Sequence, residues 1–186
     1  MSFSAMSKKK EEKQTVKAEL YEDRVLTENS SGAQQLASVS SYGALQNDGR
    51  VELTFLESCY LLEKERLSLI KGKRELDSET FRRHAQRKEK GFWIKYVVYR
   101  DLRERGYVVK TALKFGADFR VYDRGIKPGE DHARWVVYPV AEQSVLTWHE
   151  FSAKNRVAHS TKKRLLLGIV DGEGDVTYYE VKWIRP

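Results

Sequence analysis

No HExxH motif, CxxC pair or Walker loop occurs in the 186 residues, so the chemistry open to this chain must be read from individual side chains. The single cysteine, Cys59, lies in FLESCYLLEKE. That apolar helix face is the setting of a buried, inert thiol rather than a nucleophile. Carboxylates are abundant, yet none falls at a trusted metal-ligand spacing; Asp101, Asp118 and Glu180 are the ones a metal-dependent alternative would use. The residue types therefore lean toward general acid–base chemistry. A formal net charge of +7 and a pI near 9.4 favour an acidic partner, of which nucleic acid is the commonest. A basic but merely solvated surface is the bland alternative. Metal-free cleavage of RNA would need three things: a deprotonated 2′-OH, a protonated 5′-oxygen leaving group, and charge stabilisation at the phosphorus.

Any such groups must be held by regular elements, and the chain is organised around Tyr96 to Tyr122. Ile94, Val97, Val98 and Leu102 fall close to one helical face, which predicts a helix over 92–105. Gly106 stands where a left-handed C-cap belongs, and Arg103 and Arg105 suit the negative end of the helix dipole. Strands are predicted at 107–111 and 118–122, the second from the alternation of Phe119, Val121 and Tyr122. After a charged turn, RWVVYPV predicts a strand ending at Pro139. A helix follows over 146–155 after Ser144. Residues 164–170, RLLLGIV, read as a buried central strand, and residues 176–184 as a last strand suited to a sheet edge.

Upstream, residues 1–15 read as a disordered basic tail. Val16 to Thr27 reads as a hairpin turning at Glu22-Asp23. Residues 29–50 form a long polar loop, functional or disordered. A helix is predicted over 52–66, a strand over 66–70, and a basic helix from Glu79 to about Lys90, capped by Asp77 or Ser78. The fold class is thus α+β, or mixed α/β: a small N-terminal domain over 16–90 and a C-terminal domain over 91–186 with a central mixed sheet. A lone cysteine points to a reducing, cytoplasmic setting. No apolar run approaches the roughly 20 residues needed to cross a membrane.

The wording of four stretches is more specific. VYRDLRERGYVVK, KFGADFRVY, the histidine of GEDHARW, and the run from NRVAHSTKKRLLL to the C-terminus resemble the archaeal tRNA-splicing endonuclease family, over roughly residues 50–186. The resemblance implies a Tyr–His–Lys triad of Tyr122, His132 and Lys163, with no metal and no cofactor. Tyr122 would act as base on the 2′-OH, His132 would protonate the 5′-oxygen, and Lys163 would offset the charge on the phosphate. The products would be a 2′,3′-cyclic phosphate and a 5′-OH. A free tyrosine titrates near pH 10, so its role as a base calls for a nearby cation, and Lys163 is the candidate. His84, His149 and His159 read as structural or surface residues, His159 being the nearest rival.

The resemblance also implies a substrate, precursor tRNA with a bulge-helix-bulge, whose bulged base an arginine pair sandwiches. Arg156 matches the first arginine, and Trp183 stands near the second. Asp171, Glu173 and Asp175 match an acidic loop that inserts into another subunit. Relatives of this length form homotetramers, or heterotetramers with a non-catalytic partner. The segment 29–50 is similar to an extra loop of the crenarchaeal, heterotetrameric type, which favours the heterotetramer. It offers no Lys or Arg before Arg50, and Ala44 stands where an RNA contact would be expected. Ala112 stands where the family usually has glycine, so a positive φ is not expected there. A non-catalytic RNA-binding or scaffold subunit of the same assembly is the remaining alternative.

Overall fold

The computed structural model describes residues 15–184. Residues 1–14 and 185–186 lie outside the described part, and with them nearly all of the expected basic tail. The chain divides into two compact units, one up to Thr80 and one from Phe81.

The first unit carries a mixed six-stranded sheet. The expected hairpin is β1 (Val16–Leu20) and β2 (Val25–Thr27), paired antiparallel with Leu20 opposite Val25. Val16, Ala18 and Leu20 alternate into the core. The segment 29–50 is not a loop. It holds helix α1 (Ser31–Ser38) and the short strand β3 (Ala44–Leu45). Ser30 caps α1 by accepting the Ala33 N–H at 3.2 Å, and burial of Ala33 and Leu36 supplies the apolar face. Next, β4 (Val51–Leu53) occupies what sequence periodicity assigned to the start of a helix. Helix α2 (Phe55–Glu63) begins only after the Thr54 cap. Strands β5 (Leu67–Lys71) and β6 (Arg74–Leu76) complete the order β3-β4-β2-β1-β5-β6, in which only β1 and β5 run parallel.

Glu57 ties this unit together. Its carboxylate is buried, yet it accepts the backbone N–H of Thr54 at 3.0 Å, the Thr54 hydroxyl at 2.9 Å and the Gly43 N–H at 2.8 Å. A capping box is thereby extended to the turn entering β3. Gly43 must be glycine: its φ is +62°, and a Cβ there would stand 2.5 Å from the Glu52 carbonyl oxygen.

Helix α3 (Ser78–Lys88) leads into the second unit, and Gly91, at φ +71°, separates it from α4 (Phe92–Glu104). Gly106 takes φ +88°. Its N–H donates to the Arg103 carbonyl and the Tyr107 N–H to that of Leu102, the expected left-handed stop. Strand β7 (Val108–Thr111), a 3-10 turn and β8 (Phe119–Tyr122) follow. Ala112 has φ −129°, with no left-handed conformation.

Strand β9 (Trp135–Ala141) runs through Pro139 instead of ending there. β8 pairs only as far as Val137, so Pro139 lies where β9 has one strand neighbour, β10. Helix α5 (Trp148–Ser160) starts after a Thr147–Glu150 capping box rather than after Ser144. It returns the chain to β10 (Arg164–Val170), parallel to β9. Edge strand β11 (Val176–Val181) closes the order β11-β10-β9-β8-β7.

The two helices cover opposite faces of this sheet. On one, Ala158 of α5 packs with Val136, Tyr138, Leu165 and Leu167. On the other, Gly168 meets α4 so closely that an added Cβ would sit 3.1 Å from Val98. Across from α4, the Tyr178 hydroxyl donates to Asp101 at 2.8 Å, and burial pushes the phenol far above its ordinary range. A raised acid keeps its contribution to stability below the unfolded value of about 10 and loses it as pH climbs toward the folded one. Stability should therefore fall with pH from about 10 upward. Tyr178→Phe should flatten that fall in denaturant titrations at successive pH values.

Candidate active site

Three chain segments meet at one end of the second unit's sheet: the end of β8, the lead into β9 and the lead into β10. Tyr122 closes β8, one residue beyond the pair Val121–Trp135. Lys163 directly precedes Arg164, which pairs with the same Trp135. The start of β9 thus lies between Tyr122 and Lys163. With neighbouring strands about 4.8 Å apart, their backbones stand about 10 Å from each other. His132 is three residues before Trp135, on the loop that enters β9. The structure brings all three expected triad residues to this one end.

Their settings differ. Tyr122 is 5% exposed, its ring faced at 6.0 Å by the guanidinium of Arg120, two residues earlier on the same side of the strand. His132 is exposed, and its backbone N–H donates to the Asp131 carboxylate at 2.6 Å. Lys163 is half-buried, with Nζ donating to the Thr161 carbonyl at 2.9 Å. Its backbone is fixed by the end of α5: the Lys163 N–H bonds the Ala158 carbonyl and the Lys162 N–H that of His159, with Lys162 at φ +54°. A lysine at this left-handed position is strained. Lys162→Gly should raise stability by about 0.5–1 kcal/mol in thermal unfolding, leaving the Lys163 backbone where it is.

Around this end lie further cations on aromatic faces. Arg134 stacks on Trp135 at 4.4 Å and pairs with Asp123 at 3.1 Å, and Arg124 lies 5.1 Å over Tyr107. Periodicity could not expose this rim, because it depends on which strand ends become neighbours.

The other expected residues are placed as follows. Arg156 is exposed on α5, and one turn further His159 meets Trp183 edge to face at 4.7 Å. Trp183 therefore packs on an α5 residue one turn beyond Arg156, and His159 serves as its support. In the acidic turn, Asp171 accepts the backbone N–H groups of Glu173, Gly174 and Asp175 at 2.9–3.0 Å. It shapes the loop, while Glu173 and Asp175 are exposed.

The three carboxylates of the metal alternative serve separate networks. Asp101 bonds Tyr178 and Arg105, Asp118 faces Lys95 at 3.5 Å, and Glu180 accepts the Trp135 indole N–H and pairs with Arg164. Burial raises Asp118 above the usual carboxylate range, whereas the Trp135 hydrogen bond, and after it Arg164, holds Glu180 below it. Among the described residues no group of three His, Cys, Asp or Glu is placed to hold a metal ion.

A family profile described as tRNA intron endonuclease, catalytic C-terminal domain, matches residues 92–178, and its N-terminal companion matches residues 16–82. The tRNA-splicing endonuclease of Methanothermobacter thermautotrophicus is 42% identical over 171 residues, 92% of this chain and 99% of that protein. The chain belongs to the tRNA-splicing endonuclease family. Its relatives of the same name include those of Pyrococcus furiosus, 40% identical over 88% of this chain and 93% of that protein, and Nanoarchaeum equitans, 43% identical over 73% and 90%. The end of the sheet that gathers Tyr122, His132 and Lys163 lies within the catalytic-domain match. The N-terminal profile match spans residues 29–50, which hold α1 and β3. No helix among the described residues is long and apolar enough to cross a membrane.

Proposed function

We propose that this chain is the catalytic subunit that cleaves precursor tRNA at bulge-helix-bulge junctions by general acid–base chemistry. The observation that carries this reading is the register through β9, which sets Tyr122 and Lys163 on either side of its first residue with His132 on its lead-in loop. Tyr122, in its phenolate form, takes the proton from the 2′-OH. The 2′-oxygen attacks phosphorus, and the bond to the 5′-oxygen breaks as His132 protonates that oxygen. Lys163 turns its ammonium from the Thr161 carbonyl toward the phosphate and offsets the charge of the five-coordinate state. A 2′,3′-cyclic phosphate and a 5′-OH result. Arg156 and Trp183 supply flat surfaces against which a bulged base can stack.

The same surface features support association. β11 has no strand on its outer side among the described residues, and Tyr179 there and Trp183 just beyond it are more than half exposed. With Glu173 and Asp175 projecting from the adjoining turn, this edge suits pairing with another subunit. Residues 29–50, whose resemblance to an added loop favours a non-catalytic partner, hold α1 and β3; a tetramer of identical chains is the reading we adopt for test, with the heterotetramer as its alternative.

The test is cleavage of a bulge-helix-bulge RNA in EDTA by the purified chain, with its mass in solution measured in parallel. Cyclic-phosphate ends, from a particle of four times the 21.6 kDa of one chain, are expected. Activity only after adding a second protein would restore the heterotetramer. Activity only with Mg²⁺ would move the chemistry to the carboxylates and sink the triad.

A further inference from the structure

Most cations lining the second unit's sheet have their charge answered within the chain. Lys95 faces Glu89 and Asp118, Arg105 faces Asp101, Arg134 faces Asp123, and Arg164 faces Glu180. Arg120 differs. It sits in β8, half-buried, its Nε is shielded from solvent with no hydrogen-bond partner, and no carboxylate pairs with it among the described residues. A buried donor left in this way is unfavourable unless something supplies an acceptor. An acceptor from outside the chain would relieve this condition.

Location identifies the anion. The guanidinium carbon of Arg120 lies 6.0 Å from the centre of the Tyr122 ring, the residue assigned to the 2′-OH. The phosphate joined to the same ribose through its 3′-oxygen is the group that comes within reach. We infer that Arg120 is a phosphate-binding residue of the active site, donating to the reacting phosphodiester from the Tyr122 side while Lys163 approaches from across β9. Guanidinium suits the task because its planar fork matches two phosphate oxygens at once. This inference rests on the functional reading above.

The test compares the wild-type chain with Arg120→Met and Arg120→Lys. Methionine keeps an apolar stem against the Tyr122 ring and removes the charge; lysine keeps the charge and loses the fork. The first readout is binding of a bulge-helix-bulge RNA carrying a 2′-deoxy nucleotide at the cleavage site, followed across salt concentrations. Losing one phosphate contact should lower the slope of log K against log salt by about 0.7 for Arg120→Met, with Arg120→Lys keeping the wild-type slope. The second readout is single-turnover cleavage of the all-ribose RNA, expected to fall about 10²-fold or more in Arg120→Met. Melting temperatures verify that each variant is folded, and should Arg120→Met not fold, the fork-dependent loss of rate in Arg120→Lys decides. Unchanged slope and rate in a folded Arg120→Met would overturn the assignment. A reduced slope with a wild-type chain that cleaves nothing would leave Arg120 as an RNA phosphate site and reject the nuclease reading instead.

Discussion

His132→Ala should slow single-turnover RNA cleavage in EDTA by about 10²–10⁴-fold, the range that a positioned proton donor contributes. Binding of the uncleaved RNA should stay near its wild-type strength, because His132 is exposed and supports no packing. The loss should also depend on the leaving group. An RNA with sulfur in place of the 5′-oxygen departs without help from a proton, so it should recover most of the lost rate in His132→Ala and gain nothing comparable in Lys163→Ala. Measuring both substrates on both variants separates donor from charge stabiliser. Equal losses on the two substrates for His132→Ala would assign the imidazole some task other than protonation.

Gly43→Ala should be the most damaging single methyl in the first unit. The left-handed φ of +62° costs an L-residue about 1–2 kcal/mol. The new Cβ would also fall 2.5 Å from the Glu52 carbonyl oxygen and 2.6 Å from a Val51 methyl, and such overpacking adds about 1–3 kcal/mol. Any shift of the turn that relieves the clash pulls the Gly43 N–H off the buried Glu57 carboxylate, which then loses one of its donors. Denaturant unfolding should show a loss of about 3 kcal/mol. A loss below about 1 kcal/mol would mean that the turn moves freely and that the Glu57 bond carries little.

Where local chemistry and burial agree, the sequence was legible. Gly106 announces a helix stop and takes the expected left-handed conformation. The run Leu165 to Val170 reads as a central strand and lies between β9 and β11. The errors share one cause, in that tertiary contacts outweigh weak local signals. α1 has only Ala33 and Leu36 on its apolar face, so nothing periodic marks it; packing against β3 and β4 decides. Val51 to Leu53 continues an apolar pattern into α2, yet Thr54 with Glu57 places the boundary. A capping box was legible at Thr54-Glu57 and again at Thr147-Glu150, and reading each would have corrected its own helix start. Pro139 misled because a proline is tolerated within a strand where one neighbour has already ended. The proposed triad positions were legible only through wording shared with a family. Arg120 was invisible as a site residue, since an arginine in an alternating strand looks like any solvated one until its Nε is found enclosed.

The passage of the chain through β9 should give the two sides of the candidate site unlike mobility. Tyr122 ends a strand of the five-stranded ladder and Lys163 directly precedes another, whereas residues 123–131 are held by short-range contacts, Ile126 to Asp123, Glu130 to Lys127 and the Pro128–Asp131 bridge. In hydrogen–deuterium exchange, amides of β9 and β10 should trade their protons only when the whole unit opens, and those of residues 124–131 far sooner. On the roles proposed above, His132 is then the component whose placement depends on the bound strand. An RNA that fails to hold that segment would leave with its 5′-oxygen unprotonated, and any attack that had begun would revert. Discrimination between substrates would in that case be exercised after binding, as a difference in the rate of commitment rather than in affinity.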